Sequence, residues 1–186
     1  MGCCNGEGTP VNSFALVSYL ADPLAGFLDR LRTELVEDCQ AKAHVTVLPP
    51  RPLKCDIDLA SRTLQARLHD FQPFMVELGQ VEIFPVTQVV YVSVKAGHAE
   101  LKQLHAKLNT GELAFEEPFE YHPHVTLAQD LASSEVAAAF EKASARWKDF
   151  PHSRSFLVDR LTFVQNTLEN RWTDLQGCPL TTSVTI

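Results

Sequence analysis

The chain has 186 residues, of which 45% are hydrophobic and 21% are charged. These proportions are those of globular proteins, and they exclude an intrinsically disordered chain. The length is sufficient for one domain with a sizeable core or for two small lobes. A formal net charge of −7 at pH 7 argues against a broad surface for long nucleic acid, because such a surface needs many cations.

The cysteines form no recognisable disulfide or zinc framework. Their number is odd, and the chain lacks the repeated C-x-x-C spacing of a zinc site. We therefore expect a reducing, cytoplasmic compartment. The five residues are Cys3, Cys4, Cys39, Cys55 and Cys178.

The N-terminal segment predicts neither a secretion signal nor an anchor. Residues 1–10 have no basic n-region and no apolar h-region. Gly2 could begin a myristoylation pattern, but Gly6 stands where that pattern requires Ser or Thr. No apolar run approaches the ~18–20 residues of a membrane span. We expect residues 1–11 to form a flexible tail and expect no membrane partner.

The chain after this tail predicts a strand and then an amphipathic helix. Residues 12–20 are rich in strand-forming side chains. Asp22 provides an N-cap, and Pro23 suits the first position of a helix that runs to about residue 38. Apolar residues recur in this helix at spacings of three and four, which gives it one buried face. They are Leu24, Phe27, Leu28, Leu31 and Leu35.

A second strand, a second helix and a hairpin follow. The proline-rich run 49–52 ends the strand, because proline has no amide hydrogen to donate. Asp58 is expected to cap a helix that ends near His69. Two strand-like runs, residues 74–84 and 89–94, are separated by a loop of hairpin length.

The remaining elements complete a mixed α+β chain. Residues 97–108 predict a helix in which His98 and His105 lie on one side, and we interpret both as surface histidines. Ser133 or Ser134 is expected to cap a further helix. Two last strands are predicted, over residues 156–165 and 171–175.

One short pattern occurs twice. His44-Val45-Thr46 (the first motif) and His124-Val125-Thr126 (the second motif) share the sequence His-Val-Thr and are followed by aliphatic residues. Chance predicts well under one such triplet in a chain of this composition. In a strand the histidine and threonine share a face, while the valine points to the other face and the core.

This arrangement suits the chemistry of a phosphate. A neutral imidazole, with an ordinary pKa of about 6.5, can accept or donate a proton near neutral pH. A threonine hydroxyl can donate a hydrogen bond to a phosphoryl oxygen. Two copies of the motif therefore provide an acid and a base on either side of one phosphorus atom.

The two motifs resemble those of the 2H phosphoesterase superfamily, in particular the 2′-5′ RNA ligase and 2′,3′-cyclic phosphodiesterase branch. The separation of 80 residues, the prolines Pro49 and Pro50 after the first motif and Pro123 before the second also resemble this family. The resemblance implies a pseudo-symmetric, bilobal α+β fold, in which two antiparallel sheets with outer helices face each other across a cleft. Residues 12–186 would form this single domain.

The resemblance also implies a function. We expect a metal-independent phosphoesterase without a cofactor, which acts as a monomer on a 2′,3′-cyclic phosphate of a nucleotide or an RNA 3′ end, and which can also act on 2′-5′ linkages as a ligase or phosphodiesterase. His44 and His124 would be the catalytic residues, and Thr46 and Thr126 would bind the substrate. We assign the base to His124 and the acid to His44, although a pseudo-symmetric site permits the reverse.

Three alternatives stay open at this point. The same cleft could bind a nucleotide or phosphometabolite without turning it over. His122 could share a face with His124 and join His44 in a metal site, but the sequence offers no obvious Asp, Glu or Cys ligand nearby to complete it. Phe84 or Tyr91 could stack on a base or could simply pack in the core.

Overall fold

A computed structural model describes residues 8–37, 39 and 42–181 of the chain. Most of the expected tail, residues 1–7, lies outside the described residues. The predicted helix end near Asp38 also falls outside them, whereas the helix itself ends at Leu35. Within the described ranges, every helix is too short or too polar to cross a lipid bilayer.

The described residues form eight strands and four α-helices, with a short 3₁₀ turn before the second motif. In chain order they are β1 (Pro10–Tyr19), α1 (Leu24–Leu35), β2 (His44–Arg51), α2 (Ile57–Leu68), β3 (Phe74–Ile83), β4 (Val90–Ala96), α3 (His98–Leu108), the 3₁₀ turn (Gly111–Leu113), β5 (His124–Ala128), α4 (Val136–Lys148), β6 (Ser155–Val158), β7 (Arg160–Thr167) and β8 (Trp172–Pro179).

The strands form two antiparallel sheets of four strands each. The first sheet has the order β2-β1-β7-β8 and the second has the order β5-β4-β3-β6. Each motif strand is therefore an edge strand in its sheet, and a central strand, β1 or β4, is its only neighbour within the sheet. The predicted bilobal α+β fold with two antiparallel sheets is confirmed.

The two sheets approach each other along the motif strands. β2 and β5 are in contact, yet they belong to different sheets. Helix α3 contacts β2 of the first sheet and β4 of the second, so it spans the junction between the sheets, and helix α1 contacts β5. One buried apolar cluster includes residues from both sheets, among them Val45 and Val125. We call the line along which β2 and β5 meet the seam.

The strand predicted over residues 156–165 is in fact two strands. The chain leaves the sheet after Val158, and a new strand starts at Arg160. β6 pairs with β3 in the second sheet, whereas β7 pairs with β1 in the first. A continuous apolar pattern cannot reveal this crossing, because residues on both sides of Asp159 have strand propensity.

Two strand limits differ from those predicted. β1 begins at Pro10 rather than at residue 12, so the end of the expected tail already belongs to the first sheet. β2 continues through Pro49 and Pro50 to Arg51, which is paired with Phe14. Prolines are tolerated there because β2 is an edge strand, and an edge strand has one side without ladder hydrogen bonds.

The helix caps also differ from those expected. Pro23 occupies the N-cap position of α1, although Asp22 Oδ1 does accept a hydrogen bond from the Gly26 amide at 2.9 Å. Asp56 rather than Asp58 caps α2, by accepting from the Leu59 amide at 2.7 Å. Glu135 precedes α4 without a side-chain cap. Several polar residues stand near each helix start, and only the backbone path selects among them.

Candidate active site

Both motifs present their polar side chains on one face of their strand. The central valine is fully buried in each motif, at Val45 and Val125, while the flanking histidines and threonines are partly exposed. This is the alternation expected of a strand with one face in the core, and the prediction from the sequence is confirmed. The core-facing residues make a rigid support for the polar pair.

A backbone carbonyl two residues earlier orients each histidine. His44 Nδ1 lies 2.6 Å from the carbonyl oxygen of Lys42, and His124 Nδ1 lies 2.6 Å from that of His122. Because a carbonyl oxygen can only accept, each Nδ1 carries a proton and donates it. In the neutral ring the basic nitrogen is therefore Nε2. The histidines of the two motifs thus have the same tautomer and are oriented by the same kind of backbone hydrogen bond.

The environment of His44 disfavours its protonated form. Burial is the main reason that the pKa of His44 is lowered to about 4, and the positive charge of Arg32, together with that of His124 when its ring is protonated, lowers it further. The hydrogen bond to Lys42 and the charge of Asp29 act in the opposite direction without cancelling these effects. At neutral pH the imidazole of His44 is uncharged and can accept a proton.

His124 is also uncharged at neutral pH, for similar reasons. Burial lowers the pKa of His124, and the neighbouring His122 lowers it further, against the opposing effect of the hydrogen bond to the His122 carbonyl. A catalytic pair needs one protonated member. An anionic ligand between the rings would favour uptake of that proton.

The two motifs lie together in the fold. Strand β2, which carries the first motif, is in contact with strand β5, which carries the second. In addition, the Tyr121 hydroxyl donates a hydrogen bond to the backbone carbonyl of Thr46 at 2.8 Å. Tyr121 stands three residues before His124, so this bond ties the first motif to the segment that enters the second.

A buried cluster holds the Tyr121 ring. The ring of His105 stacks on Tyr121 with centroids 4.1 Å apart and planes at 2°. His105 Nε2 donates to Glu117 Oε1 at 2.8 Å, and the same carboxylate pairs with Arg51 at the end of β2. The interpretation of His105 as a surface histidine is therefore wrong, since only 14% of its side chain is exposed.

On the first sheet, Tyr19 stands beside the first motif. It is directly opposite His44 in the ladder, and its ring meets the imidazole edge-on at 6.3 Å. The Tyr19 hydroxyl donates to Asp174 Oδ1 at 2.6 Å, and Lys42 Nζ lies 5.3 Å from the centre of the ring. This side of the cleft therefore carries an aromatic ring, a carboxylate and an ammonium group.

On the second sheet, an aromatic pair flanks the second motif. The rings of Phe84 and Tyr91 are stacked at 4.0 Å, and both meet His124 edge-on, at 5.0 Å and 5.3 Å. Tyr91 is opposite Thr126 in the ladder and is only 4% exposed, whereas Phe84 is partly exposed. Both residues thus lie next to the second motif, a placement that the sequence alone did not provide.

Comparison with known proteins identifies the family. The sequence profile of the 2′-5′ RNA ligase superfamily matches residues 20–170, which include both motifs. The chain belongs to the 2′-5′ RNA ligase superfamily. The resemblance to 2H phosphoesterases that the two motifs indicated is confirmed.

Curated members of this superfamily include similar sequences. A protein of Bacillus mycoides strain KBAB4 that is provisionally named a phosphoesterase is 27% identical over 139 residues, which are 70% of this chain and 78% of that protein. A Halalkalibacterium halodurans protein with the same provisional name is 25% identical over 139 residues, with the same coverage. These relatives span most of the superfamily domain.

Solved structures show the same fold. Escherichia coli LigT in complex with 3′-AMP matches with a TM-score of 0.66 at 17% identity, over 94% of this chain and 99% of LigT. TT0787 of Thermus thermophilus matches with a TM-score of 0.61 at 16% identity, over 92% of this chain and 99% of that protein. LigT has also been solved with phosphate, with ATP and with NADP+.

The metal alternative for this superfamily member depends on His122. Its side chain is exposed, and its ring centre lies 6.4 Å from that of His124. In the part of the chain that the structure describes, no three His, Cys, Asp or Glu side chains are grouped to hold a metal ion. The described residues therefore offer this alternative no ligand set.

Several residues around the motifs had no signal in the sequence. Tyr19 and Tyr121 are ordinary aromatic residues in a strand and a loop, and Arg32 occupies a helix position among apolar residues. Their proximity to the motifs arises from contacts between distant parts of the chain. Pattern analysis detects periodicity along the chain and is blind to such contacts.

Proposed function

We propose that this protein is a metal-independent phosphoesterase that opens 2′,3′-cyclic phosphates on nucleotides or at RNA 3′ ends. The observation that carries the proposal is the matched orientation of His44 and His124. In each ring a backbone carbonyl accepts a hydrogen bond from Nδ1–H, which leaves Nε2 for the substrate. Membership of the 2′-5′ RNA ligase superfamily supports the reaction class.

The reaction requires one histidine that acts as a general base and one that acts as a general acid. The base accepts a proton from water through Nε2 as the water oxygen forms a bond to phosphorus. The acid donates a proton from its Nε2 to the ribose oxygen as the bond between that oxygen and phosphorus breaks. The product is a 2′- or 3′-monophosphate, and proton exchange with solvent restores both rings. Thr46 and Thr126 donate hydrogen bonds to the phosphoryl oxygens as charge develops there.

We assign the base to His44 and the acid to His124, which reverses the assignment expected from the motifs alone. Burial lowers the pKa of both histidines, and the positive charge of Arg32 is an additional cause for His44 that is not among the causes for His124, so Arg32 makes protonation of His44 less favourable. A single proton shared by the pair therefore resides mainly on His124. This distribution leaves His44 free to accept the proton of the attacking water.

The nucleoside is proposed to lie against the second sheet. Phe84 is a partly exposed ring that meets His124 edge-on at 5.0 Å, and a ring in that position can stack on a base. Tyr91 backs Phe84 from its other face. The LigT complexes with 3′-AMP and ATP show that a protein of this fold binds small nucleotides.

The test is a turnover assay on defined substrates in the presence of EDTA. The four nucleoside 2′,3′-cyclic phosphates and an oligonucleotide with a 2′,3′-cyclic end are incubated with the protein, and the position of the product phosphate is determined by NMR. We expect hydrolysis at the same rate with and without chelator. The matched control is His152→Ala, which removes an exposed histidine and should leave the rate unchanged.

Two results would contradict parts of this proposal, and a third would extend it. Loss of activity in EDTA that a divalent metal restores would contradict the metal-independent mechanism. Saturable nucleotide binding without turnover of any cyclic phosphate would favour the binding-module alternative. Joining of RNA ends in the reverse direction would instead extend the activity to 2′-5′ ligation, because hydrolysis and ligation use the same site residues.

A further inference from the structure

The seam between the two sheets lacks the strand pairing that would normally hold neighbouring strands. β2 and β5 are in contact, but no hydrogen-bonded ladder joins them. Both motifs nevertheless have to face one phosphorus atom, and a displacement of about 1 Å in such a pair can lower a rate by about 100-fold. Something other than strand pairing must therefore hold the distance between the motifs.

Tyr121 spans the seam at the level of the motifs. Its hydroxyl donates to the Thr46 carbonyl at 2.8 Å, and its own backbone leads through Pro123 into the second motif. Burial raises the pKa of Tyr121, so the phenol stays protonated and remains a donor. The bond thus connects the main chain of one motif to the strand entrance of the other.

The Tyr121 ring is itself held from the opposite end of β2. Arg51, the last residue of β2, pairs with Glu117, and Glu117 accepts a hydrogen bond from His105. The His105 ring then lies parallel to the Tyr121 ring at 4.1 Å. The residues of this cluster have side chains that are 3% (Arg51), 10% (Glu117) and 14% (His105) exposed.

The Arg51 guanidinium has several hydrogen-bond partners, which fix its position in the cluster. Besides Glu117, its guanidinium donates to the Pro49 carbonyl at 2.9 Å and to Asn109 Oδ1 at 2.7 Å. It also donates to the Leu113 carbonyl at 3.2 Å. Movement of this buried side chain would break hydrogen bonds and leave desolvated groups unpaired, which is costly. We therefore expect Arg51 to be rigid.

We propose that Tyr121 is a positioning residue, which sets the separation of the two histidines by hydrogen-bonding Thr46, and that Arg51, Glu117 and His105 hold it in place. We call these four residues the brace. The inference rests on the proposed function for the identity of the reaction. The hydrogen bond from Tyr121 goes to the main chain of Thr46, and the other three residues hold Tyr121, so the brace acts through the geometry of the motifs.

The deciding variant is Tyr121→Phe, which keeps the ring stacked on His105 and removes only the hydroxyl. In steady-state hydrolysis of a 2′,3′-cyclic nucleotide we expect kcat to fall about 10- to 100-fold while KM stays within about two-fold, because the substrate still binds but the acid and base are misaligned. A residue with a purely structural role would lower the unfolding midpoint and leave kcat unchanged.

The matched control is a salt bridge between helices α1 and α4 that involves none of the four brace residues. Glu34 on α1 pairs with Arg146 on α4 at 2.9 Å. Glu34→Gln weakens that pair, and it should leave kcat and KM unchanged. A fall in kcat in Glu34→Gln equal to that in Tyr121→Phe would show that any loosening of the molecule has the same effect, and the brace would have no special role.

A second measurement does not depend on turnover. NMR titration of the His44 ring should show a lowered pKa in the wild-type protein, part of it caused by the charge of His124. The groups that act on His44 are Arg32 and Asp29 on α1, His124 on β5 and the Lys42 carbonyl. The Tyr19 ring lies beside His44, and Tyr19 in turn contacts Lys42 Nζ and Asp174. In Tyr121→Phe we expect the pKa to move upward, towards 6.5, as the rings separate and water enters.

The outcomes separate the brace from the proposed function. Wild-type protein that hydrolyses no cyclic phosphate, with a His44 titration that shifts in Tyr121→Phe, contradicts the function and supports the brace. Active wild-type protein, with unchanged kcat and an unchanged His44 titration in Tyr121→Phe, overturns the brace alone. His105→Gln keeps a donor for Glu117 and removes the stacked ring, so it should show a smaller loss of kcat in the same direction.

Discussion

Arg32 places a buried positive charge close to His44, and that charge helps to lower the pKa of the imidazole. Arg32 is 6% exposed, and its Nε and Nη1 atoms have no hydrogen-bond partner among the residues that the structure describes. A buried cation without full compensation is costly. This desolvation cost is understandable if the charge of Arg32 serves a function. Its position would allow it to keep His44 unprotonated.

Substitution of Arg32 should change the pH dependence of the reaction. In Arg32→Met we expect the pKa of His44 to rise from about 4 towards 6.5. If His44 is the base, it must be neutral, so the acidic limb of the kcat/KM profile should move to higher pH while the alkaline limb stays. Arg32→Lys keeps the charge and should shift the limb less.

The control for this experiment is Arg30→Met, which removes an exposed arginine from the same helix. It should leave both limbs in place. An Arg32→Met enzyme whose acidic limb coincided with that of the wild type would show that Arg32 does not tune His44. Movement of the alkaline limb instead would restore the original assignment, in which His44 is the acid.

If the proposed function is correct, His44 and His124 should each be needed for turnover. We expect His44→Ala and His124→Ala each to lower kcat by about 10²–10⁴-fold, the usual contribution of a positioned acid or base. The double variant should lose less than the product of the two single losses, since the two groups serve one transition state. Circular dichroism verifies folding. Near-normal turnover by a folded single variant would remove that histidine from the mechanism.

The roles of the two histidines can be separated by the leaving group. A nucleotide ester of 4-nitrophenol releases a phenolate that needs little protonation, so loss of the general acid matters less for it than for a cyclic phosphate. We expect the rate defect of His124→Ala to shrink on this ester and the defect of His44→Ala to persist. The reverse pattern would identify His44 as the acid and His124 as the base.

The two threonines should contribute less than the histidines. Thr46→Val and Thr126→Val each remove a hydrogen bond to a charged oxygen, which is worth about 1.5–3 kcal/mol, and we expect kcat/KM to fall about 10- to 100-fold. Thr63→Val, in helix α2, is a control of the same chemistry. Full activity in Thr46→Val and Thr126→Val would mean that the phosphoryl oxygens are held by other groups.

The sequence by itself determined the motif strands and the direction of their side chains. Alternation in a strand has a period of two, so the burial of Val45 and Val125 and the common face of each histidine and threonine follow from local pattern alone. The duplication of the motif led to the superfamily and to a two-sheet fold. These are properties of short segments, and short segments are where sequence patterns are informative.

Only the tertiary structure decided how the two halves meet. The division of residues 155–167 between two sheets, the hydrogen bond from Tyr121 to Thr46 across 75 positions and the approach of Arg32 to His44 all depend on packing between segments far apart in the chain. No periodic pattern in the sequence predicts which groups the Tyr121 hydroxyl, the Thr46 carbonyl and the Arg32 guanidinium will approach. Their pairing is determined by which donors and acceptors the fold buries together, because a buried polar group without a partner is penalised.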